Sequence, residues 1–245
     1  MEDRLSRMRL MVGDKALKHL KNAHILVAGC GAVGGFAIEA LARSGIGHLT
    51  IIDNDVVSIT NINRQLVALH STIGQKKVDV MRKRVLDIAP DIQINAIDCL
   101  INAESVQKIL ACHPDFVVDA IDSLNPKVCL IEALVKAKIP FVSSMGAAMK
   151  TQPELVRIAK MKDSYQCPLA AFIRKRLRRR NVVLDFPVVY SPEKPNKTHL
   201  KMPENIEQKS GRVRNEMGSL PTLTGIFGLT CAQVVLDHFI KSVDK

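Results

Sequence analysis

Aromatic residues are scarce in this 245-residue chain: it has no tryptophan, two tyrosines and seven phenylalanines. Recognition of nucleic acid by stacking bases on flat rings is therefore poorly supported. The six cysteines, at positions 30, 99, 112, 129, 167 and 231, form no Cys-x-x-Cys pair and keep no regular spacing. That argues against both a disulfide framework and a tetrahedral structural zinc site. Residues Met1 to Arg7 lack the apolar stretch of a secretory signal, so the expected compartment is the cytoplasm. The one segment that imitates a membrane span, Leu223 to Ile240, is interrupted by Thr224, Thr230, Gln233, Asp237 and His238. These groups are costly in lipid, so the segment reads as a buried core helix and membrane contact is not expected. No internal repeat is visible.

Acidic residues are also in short supply, with 24 Asp and Glu against 35 Lys and Arg, a formal net charge of +11. The imbalance is local. Between Lys150 and Arg214 basic residues outnumber acidic ones by 16 to 6, whereas elsewhere the two are nearly equal, 19 to 18. A concentrated basic block of this kind suits a phosphate backbone, although like charges can also be solvated surface.

A hydrophobic share of 47% supports a substantial core. After a short basic helix, strands are expected at 23–28, 49–52, 92–97, 116–121 and 139–143. Helices are expected at 35–44, 76–89, 104–111 and 126–137, the last capped by Asn125 with Pro126 in its first turn. Strands alternating with helices predict a doubly wound, Rossmann-like, mainly parallel sheet with helices on both faces. Beyond Lys150 the rhythm breaks, with a strand expected within 154–161, a basic helix at 168–180 and a Pro- and Lys-rich segment at 191–211 that reads as disordered. The organisation expected is a single domain. Its nucleotide-binding core spans 1–150, a basic crossover region 151–217, and an apolar helix in 218–245 packs back on the core.

Within this frame, Gly29-Cys-Gly31-Ala32-Val33-Gly34 follows an apolar strand and opens a helix. Glycines at this spacing let the backbone approach a phosphate at a helix start, although a tight turn without ligand has the same look. Asp53 ends the second strand, where its carboxylate could hold ribose hydroxyls or simply occupy a surface turn. Asn61, Arg64 and Gln65 follow in a polar loop. Arg64 offers a planar fork suited to phosphate oxygens, and an arginine at a phosphate tail argues for ATP rather than a nicotinamide cofactor. Lys77 opens a helix, where an ammonium opposes the helix dipole unless an anion lies nearby; an isolated lysine there would be solvated. In Asp119-Ala-Ile-Asp122-Ser123 the second acid falls at the carboxyl end of a parallel strand and is a candidate magnesium ligand. Asp119 is expected to face inward or cap a neighbour.

Taken together, Arg7 ahead of Gly13, the Gly29 to Gly34 turn, Leu49 to Asp53, Thr60-Asn-Ile-Asn-Arg64-Gln65, Gly74 before Lys77, and Asp119-Ala-Ile-Asp122 resemble the ubiquitin-activating-enzyme-like (ThiF-like) adenylyltransferases. Asp119 to Lys127, Cys167-Pro-Leu-Ala, Val189-Tyr-Ser-Pro-Glu193 and Gly218-Ser-Leu-Pro221 resemble its tRNA threonylcarbamoyladenosine dehydratase branch. The resemblance implies a nucleotide site formed by Gly29, Gly31, Ala32, Val33, Gly34, Asp53, Asp55, Asn61, Arg64, Gln65, Lys77, Asp122 and Ser123. Asp53 would hold ribose, Asn61, Arg64 and Lys77 the phosphates, and Asp122 Mg2+. Arg7 would be an arginine finger reaching across a homodimer. The implied reaction adenylates the threonyl carboxylate of the modified adenosine in tRNA with ATP, then closes a ring with loss of AMP. A monovalent cation, sodium or potassium, and sulfur-relay partner proteins are further candidates in that family frame.

Two departures stand out. The turn Ser144-Met-Gly146-Ala-Ala148 replaces a Gly-x-Gly more usual in the branch, and the zinc-binding Cys pairs of many carrier-activating relatives are absent. Rival readings are an adenylyltransferase acting on the carboxy-terminal glycine of a ubiquitin-like sulfur carrier, with Cys167 as thiol acceptor, a nucleotide-sensing tRNA-binding module without turnover, and a nicotinamide reductase.

Overall fold

The computed structural model describes residues 3–196 and 217–242. Its first helix, α1 (Ser6–Asn22), is broken at Gly13, whose φ of 78° takes it out of helical geometry. The chain then alternates through β1 (His24–Ala28), α2 (Gly34–Arg43), β2 (His48–Ile52), α3 (Lys77–Ile88), β3 (Gln93–Ile97), α4 (Ser105–Leu110), β4 (Phe116–Asp119), α5 (Leu124–Ala137) and β5 (Phe141–Ser144). It continues through β6 (Arg157–Lys160), α6 (Pro168–Arg178), β7 (Pro187–Tyr190) and α7 (Pro221–Lys241). The seven strands form one sheet in the order β3-β2-β1-β4-β5-β7-β6. All neighbours pair in parallel except β6, which closes the edge antiparallel to β7. The fold is the doubly wound α/β architecture expected from the alternation of elements.

Strand burial follows sheet position. Central β1 is buried at all five residues, as a strand covered on both faces must be, whereas edge strand β3 is exposed or half-buried throughout. Two apolar clusters flank the sheet. One joins α1, α2, α3 and α7 to it, and the other joins α4, α5 and α6. The apolar segment near the carboxyl end forms α7, long and apolar enough to cross a membrane by length and composition. It lies against α2 and α1, with Leu223, Phe227, Cys231, Val235 and Phe239 buried.

Three features differ from expectation. Asn125 does not cap α5: the helix starts two residues earlier than expected, at Leu124, and Ser123 occupies the extended cap position. Pro126 still falls in the first turn, where its missing N–H has no intrahelical partner to lose. The strand expected to run to Ile121 stops at Asp119, because the next residues turn beneath the glycine loop. Strand β7 is not foreseen because its Val188-Val189-Tyr190 run is short and flanked by Pro187 and Pro192, which resemble loop punctuation. Of the segment 191–211 expected to be disordered, residues 197–211 lie outside the described residues.

Candidate active site

The carboxyl ends of the interior strands β1, β2 and β4 meet at one end of the sheet, where open α/β folds collect their ligands. Two of the three glycines in the turn after β1 are demanded by the protein itself. Gly29 has a φ of +101°, and a Cβ there would stand 2.8 Å from the Ala120 carbonyl oxygen. A Cβ on Gly34 would sit 1.7 Å from the Gly29 carbonyl oxygen, an impossible approach. Gly31 differs: its nearest neighbours would be the Gln65 amide atoms, from 3.8 Å away. The protein leaves room at Gly31 that it does not fill.

Gln65 closes one side of that room. It is buried, and its amide oxygen has no hydrogen-bond partner among the described residues. A buried polar atom without a partner is costly, and half a turn of the amide presents donors to the same space. α2 begins immediately after the turn without a side-chain cap, its Gly35 and Ala37 N–H groups donating to the Gly31 and Val33 carbonyls at 2.9 and 3.1 Å. The backbone through Ala32 and Val33 leads into this helix start.

Asp53 lies just past β2 and ties the two strand ends together. One carboxylate oxygen accepts the Cys30 N–H at 2.7 Å and the other accepts the Asp55 N–H at 2.8 Å. Burial pushes its carboxyl above the usual carboxylate range, only partly offset by those N–H donors and by the Lys77 ammonium. Such a group gains from further hydroxyl donors. Cys30 is no nucleophile, since burial first and the Asp53 charge second hold its thiol well above the usual range.

Lys77 sits at the first position of α3, as expected, with only 5% of its surface exposed. Its anion within the chain is Asp55, at 2.8 Å from Nζ. A buried ammonium at a helix start is doubly disfavoured, and the exposed Asp55 carboxylate compensates it. The intervening loop holds its own shape. The Asn61 side chain accepts the Ser58 N–H, and Arg64 donates to the Thr60 carbonyl and the Asn63 side-chain oxygen at 2.9 and 2.8 Å. Asn63 in turn donates to the Ser219 carbonyl, two residues ahead of α7.

Asp122 is exposed on the turn after β4, where one oxygen accepts the Ser123 hydroxyl at 3.0 Å. No group of three or more His, Cys, Asp or Glu able to hold a metal occurs among the described residues. A magnesium site completed by substrate phosphates needs only one or two carboxylates, so this donor set fits one. Arg7 stands apart, exposed on α1, with no ion pair to the cradle among the described residues of its own chain. A separate apolar cleft of about 440 Å³, lined by Phe116, Leu134, Phe141 and Phe186, opens at the amino-terminal ends of β4 and β5, opposite the glycine turn.

Two buried lysines escape a reading of the sequence. Lys127 pairs with Asp119 and is wholly enclosed, while Lys150 is 2% exposed and donates to the Ser191 carbonyl at 2.5 Å. Burial lowers the Lys150 pKa, and the nearby Cys167 and Glu193 pull it partly back. The eight-residue spacing from Asp119 to Lys127 is a usable signal for the first. Lys150 opens the basic block and resembles surface. Cys167 is itself buried at the cap of α6, which leaves no open approach to its sulfur.

The model of the ThiF family matches residues 3–243, nearly the whole chain. The chain belongs to the ThiF family. Among relatives of this ThiF-family chain, the tRNA threonylcarbamoyladenosine dehydratase of Bacillus subtilis is 36% identical over 242 residues, covering 98% of this chain and 95% of that protein. The crystal structure of the Escherichia coli tRNA N6-threonylcarbamoyladenosine dehydratase in complex with ATP has a TM-score of 0.88 at 31% identity, covering 98% of this chain and 95% of that one. The molybdopterin-synthase adenylyltransferase of Escherichia coli is 32% identical, but over 148 residues that cover 60% of this chain.

Proposed function

We propose that this ThiF-family chain is an ATP-dependent enzyme that dehydrates threonylcarbamoyladenosine in tRNA to its cyclic form through an acyl adenylate. The observation that carries the nucleotide half is the unfilled space over Gly31, bordered by the orphaned Gln65 amide and the uncapped start of α2. Polyphosphate oxygens would accept from backbone N–H groups of the turn, and from the Gln65 NH2 group once the amide is turned to present it. Similarity to the dehydratases along nearly the full chain supports the substrate half, as does the basic block after Lys150. The carrier-activating relative covers only 60% of this chain, and no Cys-x-x-Cys pair is present.

In this reading Gly29, Gly31, Ala32, Val33 and Gly34 bring backbone to the phosphates and Asp53 accepts the ribose hydroxyls. Asp55 and Ser123 border the site, while Asn61, Arg64, Gln65 and Lys77 face the phosphate tail. A threonyl carboxylate oxygen attacks the α-phosphorus, the bond to the bridging oxygen breaks, and pyrophosphate leaves. That approach brings two anions together, so Arg64 and Lys77 screen repulsion and hold the attack in line. Lys77 changes partner as it does so, from Asp55 to phosphate. Mg2+ bound by Asp122 would supply further neutralisation of the triphosphate. The neighbouring urea group of the substrate then attacks the acyl carbon, loses its proton, and AMP departs. Only positioning is required of the protein in this second step.

A second subunit fits the same reading. Arg7 shares α1 with Leu10 and Met11, which are 81% and 84% exposed, and Ile59 and Leu69 beside the site are also exposed. A two-fold dimer would cover these apolar side chains and bring Arg7 to the partner's nucleotide. A tRNA substrate is consistent with a cytoplasmic enzyme.

The test is pyrophosphate release from ATP with two substrates, tRNA bearing the modification and a ubiquitin-like carrier protein. The proposal expects release with the tRNA alone. Release with the carrier and none with the tRNA would overturn it.

A further inference from the structure

Beneath the exposed Asp122 lies a fully enclosed charge pair. Lys127 on α5 meets the Asp119 carboxylate at 2.8 Å, and neither side chain has any exposed surface. The Lys127 ammonium also donates to the Ile121 carbonyl at 2.9 Å and, more weakly, to the Asp119 carbonyl at 3.4 Å. Its three protons are thereby directed at the two residues that frame Ala120, and none is left for a substrate. The Asp119 carboxylate accepts the Ser143 hydroxyl of β5 at 2.6 Å and the Ile121 N–H at 3.2 Å.

The same turn supports the phosphate cradle. Ala120 donates its N–H to the Ala28 carbonyl at the end of β1, and its carbonyl and side chain are what exclude a Cβ from Gly29 and crowd one at Gly34. The pair lies between the end of β4 and α5, where neither side chain meets water. Isolated in such surroundings, either charge would carry a large desolvation penalty. Together, with the Lys127 protons directed at the turn and the Asp119 carboxylate held by Lys127, Ile121 and Ser143, they confer geometry.

We infer that Lys127 and Asp119 are positioning residues for Asp122: they fix the turn from which its carboxylate meets the metal on the nucleotide. The inference rests on the assignment of Asp122 to Mg2+ given above. A mere packing pair would affect stability and all ligands alike. A positioning pair affects the metal more than the nucleotide.

The experiment measures binding, not turnover. Mn2+ is titrated by electron paramagnetic resonance into the full-length protein saturated with a non-hydrolysable ATP analogue, and metal-free AMP binding is measured by calorimetry. The variants are the charge-free pair Asp119→Asn with Lys127→Met, the milder Ser143→Ala, and Asp122→Ala. The expected result for the paired substitution is AMP affinity within about twofold of wild type and Mn2+ affinity lowered about tenfold, which is about 1.4 kcal/mol. Combining it with Asp122→Ala is expected to cost no more than Asp122→Ala alone, because both remove one interaction. Ser143→Ala is expected to weaken Mn2+ in the same direction by a smaller factor, and decides the matter if the paired variant does not fold. Unchanged Mn2+ affinity in the folded variants overturns the inference. So does a metal site lost on changing the pair but untouched by Asp122→Ala, an outcome that also locates the error in the assignment of Asp122.

Discussion

At the scale of single residues, Gly31 and Gly34 belong to one turn but answer to different constraints. A methyl group on Gly34 collides with the Gly29 carbonyl, whereas on Gly31 it meets only open space and the Gln65 amide. Gly34→Ala should therefore destabilise the fold by about 1–3 kcal/mol or more, seen as a fall in melting temperature. Gly31→Ala should melt as wild type yet bind ATP at least about tenfold more weakly, a loss of about 1.4 kcal/mol by calorimetry. A Gly31→Ala protein that melts early or binds ATP normally would contradict the cradle. Arg64 is a second residue-scale case. It lies outside the basic block, and among the described residues its guanidinium donates to the Thr60 carbonyl and the Asn63 side chain. Arg64→Ala should lower product formation by about 10²–10³-fold, the usual loss for one transition-state donor, while leaving tRNA affinity nearly intact in a filter-binding assay.

At the scale of elements, the basic helix α6 divides its charges between two tasks. Ala170, Ile173 and Leu177 face the core, while Arg174, Arg176 and, just past the helix, Arg180 are engaged by Ser164, Asn125 and Glu132. Lys175, Arg178 and Arg179 are exposed, with no ion pair among the described residues. Replacing these three with alanine should weaken tRNA binding and reduce the slope of log affinity against log salt by about 0.7–0.9 for each phosphate no longer neutralised. Replacing the engaged arginines instead should act mainly on stability. An unchanged salt slope after the triple replacement would remove α6 from the tRNA surface. Local chemistry makes most elements legible in the sequence: the buried runs of β1 and β4, the helical spacing of Val78, Met81 and Val85 in α3, and the glycine turn with its context. What is not legible depends on distant partners. β7 owes its strand state to pairing with β5 and β6, and the Ser123 cap to a turn pinned by Lys127. The gathering of Asp53, Gln65 and Lys77 at the glycine turn follows from strand ends meeting at one end of the sheet. The role of Asp55 as partner of Lys77 can only be seen in three dimensions.

At the scale of the whole molecule, acid stability follows from histidines at the amino-terminal edge of the sheet. Burial, and then the stacked His48 ring 3.8 Å away, lower the His24 pKa, with Asp115 opposing. Burial and His19 lower that of His238. The fold disfavours the charged imidazoles, whereas the unfolded chain accepts their protons near pH 6.5. Stability should be complete above about pH 6.5 and fall as the pH drops below it toward the folded-state values. A melting temperature that stays flat between about pH 6.5 and 5 would contradict this. The dimer has its own test. If Arg7 acts across a two-fold interface, equal mixing of inactive Arg7→Ala and Arg64→Ala proteins should restore about a quarter of wild-type activity, because half the dimers then carry one intact site.

The central claim, that this ThiF-family chain uses ATP to close a ring on tRNA-borne threonylcarbamoyladenosine, is tested most directly by mass spectrometry. tRNA carrying the modification is incubated with the protein and ATP, digested, and its nucleosides are analysed. The account predicts conversion of threonylcarbamoyladenosine to a species lighter by one water, with AMP and pyrophosphate released in equal amounts. Unaltered nucleoside after incubation with protein that binds both ATP and tRNA would contradict it.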